Sequence, residues 1–327
     1  IMRVKLDTGG ISSLDKNRGI GVYAGQMRWR LPKLIEVVEQ NQELTHYLVF
    51  KIFSPQPLIL PAVVTVHDLI PLKYPQAYPP GMRGRLKWWQ NKKILRRADG
   101  IITDSQASKK DIISLIGVEP NKIFVVYLAA DEIFRPMKAE NTYCLPKKFV
   151  LCVGDLNWNK NVVKLTKLCL KLRYPIVVVG RQAVATDYDH HHPETVELVK
   201  FQHLARLHPK KIIRLGVVPE RDLAEIYNLA TVYAQPSRDE GFGLPVLEAM
   251  SCGCPVLSSG RGSLPEITGK AGLIFNQKNL KQIWQNKILR RKLAQAGLAQ
   301  AKKFSWDKTV RETVKVYEKI ITDRVNH

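Results

Sequence analysis

The sequence predicts an α/β protein built from two doubly wound domains, each with a parallel sheet. Its 327 residues suffice for two domains of ordinary size. Short apolar runs alternate with helical patterns, and most of these runs lack polar alternation, as strands buried on both faces do. Strand–helix alternation of this kind is typical of doubly wound parallel sheets.

The predicted strands are short and rich in β-branched residues: 62–66, 101–103, 123–127, 149–153, 176–179, 211–215, 232–235, 255–258 and 273–275. Helical patterns between them include 86–97, 105–116, 221–229 and 244–250. The last pattern, 305–321, has Ser305 as a helix N-cap and an apolar stripe through Trp306, Val310 and Tyr317.

A break in periodicity falls at 136–148, a stretch that contains two prolines and several charges. We therefore expect an N-terminal domain over 1–140 and a second domain over 141–304. The remaining segment, 305–327, is expected to be a terminal helix that packs back on the first domain.

The net charge of +22 comes from 51 Lys and Arg against 29 Asp and Glu, and both halves of the chain are basic. Such a field attracts polyanions, which include nucleic acid, anionic lipid headgroups and phosphorylated small molecules. A general bias towards solubility is the alternative explanation.

Targeting and cysteine signals favour a cytoplasmic protein. No apolar run reaches the roughly eighteen residues of a transmembrane helix, and the N-terminus lacks the apolar core of a signal peptide. The five cysteines are an odd number, and Cys252 and Cys254 have no second pair to complete a zinc site. We expect reduced cysteines in the core.

The strongest chemical signal is the stretch 236–250, which follows a predicted strand and opens a helix. Gly241 and Gly243 allow the backbone to turn sharply and a ligand to approach it. The start of the helix favours phosphate. Glu240 and Glu248 bracket this turn, and their useful targets are sugar hydroxyls, because a carboxylate beside phosphate repels it.

This stretch resembles the E-x7-E signature of retaining glycosyltransferases of family 4, which have the GT-B fold. The match continues through 251–256 and 262–266. The resemblance implies two Rossmann-like domains facing across a cleft, and a catalytic Glu240. It also implies donor-binding roles for the rest of the turn: Gly241, Phe242, Gly243, Leu244 and Glu248.

Two segments of the first domain agree with the family in order and spacing. By resemblance, His67 at the end of a predicted strand would contact the transferred sugar. The stretch 104–108 resembles a strand-to-helix turn in which Ser105 caps the helix. Gly21, in 19–23, resembles a glycine loop that approaches the donor phosphates, although a simple turn is nearly as good an explanation.

The second domain opens with Gly154 and Lys160, where the family places basic residues against the diphosphate leaving group. Lys160 matches the family lysine, but Asp155 and Asn159 fill the arginine positions. Either Lys160 and the glycine turn suffice, or another basic residue such as Arg181 or Arg238 substitutes. Gly216 and Val217 resemble the loop that frames the nucleotide base.

No cofactor or metal is expected beyond the nucleotide diphosphate sugar itself. The second domain has no pair of aspartates at a strand end that would hold a divalent ion, and Lys160 offers the positive charge. His190, His191 and His192 are adjacent, a spacing that favours a polar loop over a metal site.

Residues 82–97 carry seven Lys or Arg and no acid. A basic helix with tryptophans is typical of a surface that rests on anionic lipid, and the candidate membrane-facing residues are Trp88, Lys92, Lys93, Arg96 and Arg97. Alternatively, the tryptophans enter the core and the charges are solvated.

We therefore expect a retaining glycosyltransferase that moves a sugar, with mannose the first choice, from GDP-mannose or a UDP-sugar to a glycan or lipid-linked acceptor. A peripheral position on the inner face of the cell membrane would suit it, and no nucleic-acid partner is expected. Retention would follow from same-face attack, with the departing diphosphate as base. The alternatives are an epimerase or phosphorylase of the same fold, and a basic nucleic-acid-binding protein without catalysis.

Overall fold

The computed structural model describes residues 2–9 and 19–325. The chain forms two compact units, each built on a six-stranded parallel sheet. The first unit comprises Ile1–Pro75, Pro79–Leu128 and Phe304–His327, and the second comprises Gln76–Tyr78 and Ala129–Lys303. The predicted α/β class with parallel, doubly wound sheets is confirmed.

The sheet of the first unit has the order β2-β1-β3-β4-β5-β6. Its strands are β1 (Arg3–Asp7), β2 (Glu36–Val37), β3 (Leu44–Tyr47), β4 (Ala62–Thr65), β5 (Gly100–Thr103) and β6 (Ile123–Val125). The central strands β3, β4 and β5 are buried along their whole length, as parallel strands covered on both faces are.

The α-helices described in the first unit are α1 (Gly19–Arg30), α2 (Ile70–Lys73), α3 (Gly81–Arg96), α4 (Gln106–Ile116) and, near the end of the chain, α12 (Trp306–Val325). Helix α4 begins as expected, because the Ser105 hydroxyl accepts a hydrogen bond from Ser108 N. It ends at Gly117, whose φ of 76° is the left-handed conformation that closes many helices.

A buried polar chain joins α12 to this sheet. Tyr317 of α12 hydrogen-bonds His46 Nδ1, and His46 Nε2 bonds the Thr65 hydroxyl at 2.8 Å. Thr65 also contacts the Tyr23 hydroxyl of α1 at 3.0 Å. Burial lowers the pKa of His46 to about 3, so its ring is neutral and can accept as well as donate.

The sheet of the second unit has the order β12-β11-β10-β7-β8-β9. Its strands are β7 (Val150–Val153), β8 (Ile176–Val179), β9 (Ile212–Leu215), β10 (Val232–Gln235), β11 (Val256–Ser258) and β12 (Gly272–Ile274). Its helices are α5 (Val162–Leu172), α6 (Val196–Leu207), α7 (Glu220–Leu229), α8 (Leu244–Ser251), α9 (Leu264–Thr268), α10 (Gln277–Gln285) and α11 (Lys287–Ala301). The order reverses between β7 and β10, which makes their carboxyl ends the switch point where such sheets bind ligands.

The two units divide between Leu128 and Ala129, earlier than the expected boundary at 140/141. The proline-containing stretch lies along α7 of the second unit. The Asn228 side chain bonds Arg135 O at 3.0 Å and accepts from Met137 N at 3.0 Å, and the Tyr143 hydroxyl donates to Asp222 at 2.6 Å. These bonds tie residues that look like a linker in sequence to a helix that follows much later.

Candidate functional site

The strongest candidate site lies at the switch point of the second sheet, where the segments after β7 and β10 meet. Strands β7 and β10 are parallel neighbours, with Val232 opposite Val150. The segment after β7 carries Lys160, and the segment after β10 carries Glu240. The reversal of strand order therefore brings together residues that are 80 positions apart in sequence.

Two asparagines join these segments. The Asn159 side chain donates to Asp239 O at 2.8 Å and accepts from Asp239 N at 3.1 Å. Asn161 donates to Pro236 O at 3.1 Å. Asn159 is buried and fixes the backbone before Glu240, so the position where the family resemblance expects a cation holds a structural amide instead.

Glu240 is buried in a cluster of hydrogen-bond donors. Lys160 Nζ lies 2.7 Å from Glu240 Oε1 and 3.0 Å from Oε2. Gln235 Nε2 and the Ser237 hydroxyl each donate to Oε1 at 2.6 Å. Three donor side chains, one of them charged, stabilise a carboxylate that is shielded from water.

The glycines of the turn permit very close packing around Glu240. Gly243 has a φ of 98° and precedes α8, which starts at Leu244 as expected and has Pro245 in its first turn. A Cβ on Gly262 would lie 2.3 Å from Asp239 Oδ1 and 2.6 Å from Glu240 N. The hydroxyl of Ser263 adds a 2.7 Å bond to Phe242 O, so the segment after β11 presses directly on the turn.

Glu248, which lies within α8, has different surroundings. Its carboxyl accepts a hydrogen bond from the Tyr227 hydroxyl at 2.9 Å. Burial raises the pKa of Glu248 to about 7, although the Tyr227 bond opposes the shift, and the nearby Glu220 and Asp131 add to it. This carboxyl therefore titrates near neutral pH.

The remaining donor-binding candidates lie along the same edge of the sheet. Gly154 ends β7 with a φ of 123°, and Gly180 ends β8 so close to it that a Cβ would lie 2.3 Å from Gly154 O. Gly216 and Val217 follow β9, and Val217 is exposed. The sequence did not single out Gly180, although a glycine directly after a buried strand is a signal for such an approach.

Neither arginine proposed as a substitute cation bonds Glu240. Arg238 lies over the Trp158 ring at 4.6 Å, donates through Nε to Trp158 O at 3.1 Å, and approaches Glu197 at 4.0 Å. Arg181 is exposed in a turn after Gly180. In the part of the chain that the structure describes, Lys160 is the cation that contacts Glu240.

In the first unit, His67 follows β4 and pairs with Asp104, which follows the neighbouring strand β5. His67 Nδ1 lies 2.6 Å from Asp104 Oδ2, and the Tyr23 ring meets the imidazole edge-on at 4.9 Å. Burial opposes a charged ring, but Asp104, then Asp68 and the Leu48 carbonyl, raise the pKa of His67 overall. Asp104 was missed as a site residue, although its place at a strand end next to β4 was available from the strand pattern.

Gly21 is the third residue of α1 and does not lie in a loop. The whole stretch 19–23, which resembles a glycine loop in sequence, is part of this helix.

Two of the five candidate membrane-facing residues on α3, Trp88 and Lys92, are partly buried. Trp88 packs against the core of the first unit, and Lys92 Nζ and Arg96 Nε donate to the last carbonyls of α4, Leu115 O and Ile116 O, each at 2.8 Å. The other three candidates, Lys93, Arg96 and Arg97, are exposed. We use the name outer face of α3 for seven of its exposed side chains: Met82, Arg83, Arg85, Leu86, Lys87, Trp89 and Lys93. Among the described residues, every helix is too short or too polar to span a bilayer.

The histidine triplet lies in a loop, where His192 Nδ1 accepts from Glu194 N at 3.2 Å and caps a short turn. Across 2–9 and 19–325, no three His, Cys, Asp or Glu side chains are arranged to hold a metal ion. Four of the five cysteines are buried, and Cys144 is exposed.

Comparison with known families covers most of the chain. The model of glycosyl transferases group 1 matches residues 134–300, and that of glycosyltransferase family 4 matches residues 24–132. O-antigen chain mannosyltransferase B of Escherichia coli is 32% identical over 283 residues, which cover 79% of this chain and 70% of that protein. A serotype-specific mannosyltransferase, WbdA of Escherichia coli, is 28% identical over 79% of this chain, which spans 33% of that longer protein.

Solved structures share the fold at lower identity. A sucrose-phosphate synthase from Thermosynechococcus elongatus has a TM-score of 0.71 at 21% identity, covering 87% of this chain and 75% of that one. HepE of Anabaena, solved with UDP and glucose, has a TM-score of 0.68 at 15% identity, covering 97% of this chain and 99% of that one. Both likenesses concern the fold alone.

Proposed function

The chain belongs to the group 1 and family 4 glycosyltransferases, and we propose that it is a retaining mannosyltransferase that uses a nucleotide diphosphate sugar. The observation that carries the proposal is the Lys160–Glu240 pair at the switch point of the second sheet. A cation for a diphosphate and a carboxylate for sugar hydroxyls stand side by side there, as a sugar donor requires.

The chemistry divides between these two side chains. When the donor binds, Lys160 turns from Glu240 towards the diphosphate, where it offsets the negative charge that develops as the glycosidic bond breaks. Glu240 holds hydroxyls of the transferred sugar, and Glu248 holds those of the ribose. Mannose is proposed because the curated relatives are mannosyltransferases, which makes GDP-mannose the first donor to test.

UDP-sugars are the second donor class, because HepE was solved with UDP-glucose. A glycan or lipid-linked acceptor is proposed from the O-antigen role in the relatives' names. His67 is proposed as a substrate contact of the first unit, where Asp104 orients its ring.

Transfer is proposed to proceed without a divalent ion. Lys160 and the start of α8 supply positive charge where the diphosphate would leave. Activity that disappears in a chelator and returns only with magnesium or manganese would contradict this part of the proposal.

The stereochemical outcome tests the proposed mechanism most directly. The Glu240 carboxylate accepts hydrogen bonds from Lys160, Gln235 and Ser237, and we propose that it binds sugar hydroxyls and does not act as a nucleophile. We therefore expect the departing diphosphate to take the acceptor proton on the face that it leaves, which retains configuration. Proton NMR of the first-formed product from GDP-mannose should show an α-linkage, and a β-linkage would exclude same-face attack.

The outer face of α3 is proposed to rest on anionic lipid. Trp89 is 54% exposed with Lys93 Nζ 3.5 Å over its ring, and Met82 is 89% exposed. Each basic residue near such a surface contributes about 1 kcal/mol. Charge reversal at Arg83, Arg85 and Lys87 should release the protein from phosphatidylserine vesicles, and equal binding to neutral phosphatidylcholine vesicles would refute an electrostatic attachment.

A further inference from the structure

The two oxygens of Glu240 have unequal surroundings. Oε1 accepts three hydrogen bonds, from Lys160, Gln235 and Ser237, at 2.6–2.7 Å. Oε2 accepts one, from Lys160 at 3.0 Å, among the residues that the structure describes. One oxygen is therefore held by the protein, while the other depends on a lysine that the diphosphate would also attract.

Gln235 is the centre of the group that holds Oε1. It is the last residue of β10 and is 2% exposed. Its amide nitrogen donates to Glu240 Oε1 at 2.6 Å and to the Ser237 hydroxyl at 2.9 Å, while its amide oxygen accepts from the Tyr233 hydroxyl. Because a carboxylate only accepts, the nitrogen of this amide must face Glu240, and both ends of the amide are occupied.

We propose that Gln235 is a positioning residue of the transfer reaction, which anchors Oε1 of Glu240 so that Oε2 is presented to a hydroxyl of the transferred sugar. This inference rests on the proposed function, because it assigns Glu240 to the sugar. Gln235 itself does not touch the substrate.

The anchor matters most at the moment when Lys160 changes partner. Without Gln235, a lysine drawn to the diphosphate would leave the Glu240 carboxylate with the Ser237 hydroxyl as its one remaining side-chain donor among the described residues. With Gln235 and Ser237 in place, Oε1 keeps two donors whether or not Lys160 stays. A preorganised acceptor of this kind avoids the cost of ordering the side chain during binding.

This arrangement predicts that Gln235 affects the binding of the transferred sugar and not the binding of the nucleotide. A nucleoside diphosphate lacks the transferred sugar, whose hydroxyl Oε2 is proposed to bind, so its affinity should not depend on the orientation of Glu240. The affinity of GDP-mannose relative to that of GDP therefore reports the role of Gln235, whereas a general loss of structure would weaken both.

The test replaces Gln235 by Met, which keeps the length of the side chain and removes the amide. Titration calorimetry should show that Gln235→Met lowers the affinity for GDP-mannose about tenfold or more, the effect expected from losing a hydrogen bond to a charged group. GDP affinity should stay within about twofold. Gln235→Glu sets a second carboxylate against Oε1 and should lower the affinity for GDP-mannose further. This variant provides a second test of the role if the Met variant folds poorly.

A matched control is available in the same unit. Gln202 is also buried, and its amide donates to backbone carbonyls of 182, 183 and 185, away from Glu240. Gln202→Met should lower the melting temperature without changing the ratio of the two affinities.

If Gln235→Met weakened the binding of GDP and of GDP-mannose equally, or if neither Gln235 variant changed the ratio of the two affinities, Gln235 would have no positioning role. The proposed function would not be affected by that result. Wild-type protein that binds neither GDP-mannose nor UDP-glucose would overturn the proposed function and this inference with it.

Discussion

Glu240 and Glu248 lie in the same strand–turn–helix segment, yet their surroundings differ in kind. Glu240 has three donor side chains, one of them a lysine. Glu248 has one neutral donor, Tyr227, and burial raises its pKa to about 7. The same residue type in one motif is therefore held by several donors at one position, and at the other it is an acid that titrates near neutral pH.

The largest effect should follow the loss of the Glu240 charge. Glu240→Gln keeps the shape of the side chain but can no longer pair with Lys160, and we expect transfer from GDP-mannose to fall about 100- to 1,000-fold, as for a preorganised polar group at a reacting centre. Steady-state kinetics measure it. Wild-type turnover in this variant would remove Glu240 from the mechanism.

Lys160 should have a smaller effect that extends to the nucleotide. Lys160→Met removes the cation proposed for the diphosphate, so the affinity for GDP itself should fall about 10- to 100-fold. Lys167, exposed on α5 of the same unit, provides the matched control. If Lys167→Met lowered the affinity for GDP as much as Lys160→Met does, the effect would reflect the net charge of the protein and not a specific contact.

Glu248 should give the smallest effect, and it should depend on pH. Ionised Glu248 is the better acceptor for ribose hydroxyls, so GDP-mannose should bind several-fold more tightly as pH rises through about 7. Tyr227→Phe removes a bond that lowers the pKa of Glu248 and should move the midpoint upwards. Glu248→Gln should abolish the pH dependence, and a profile unchanged in that variant would assign the titration to another group.

The same ionisation has a consequence for stability. The folded pKa of Glu248 lies above its ordinary value of 4.5, so the folded state holds a proton that the unfolded state has lost between pH 4.5 and about 7. Stability should therefore decline as pH rises through this window, and this component should be absent from Glu248→Gln. Thermal melts of the two proteins at pH 5 and pH 8 compare them directly.

Much of the fold could be predicted because its central strands are apolar runs. Strands β8 and β10 have the bounds that the sequence predicted. Strands β1, β2 and β3 were missed, and β3 shows why. Its Thr45 and His46 are buried polar residues, acceptable only because Tyr317 and Thr65 hydrogen-bond His46. A local pattern cannot reveal partners that are contributed by distant parts of the chain.

For the same reason, only part of the site could be predicted from the sequence. The motifs gave Glu240 and Lys160, but the role of Asn159 depends on β7 and β10 being neighbours, and that of Gln235 depends on the turn that brings Glu240 back to the end of β10. In α3, buried positions recur at Gly84, Asn91 and Leu95, a stripe that also carries Trp88 to the inside. Asn91 hid that stripe, because it is a polar residue whose burial depends on the backbone carbonyls of 51 and 52, to which its amide nitrogen donates.

The bonds from Asn159 and Asn161 to the segment before Glu240 have a consequence for how the enzyme is made. They close a loop of about 80 residues, so they form only after the chain beyond β10 has been synthesised and β10 has docked on β7. On the growing polypeptide, Lys160 emerges from the ribosome long before its carboxylate does. A chain that stops before residue 232 lacks Glu240 and the segment that Asn159, Lys160 and Asn161 bond, so this cluster can form only after β10 has been made.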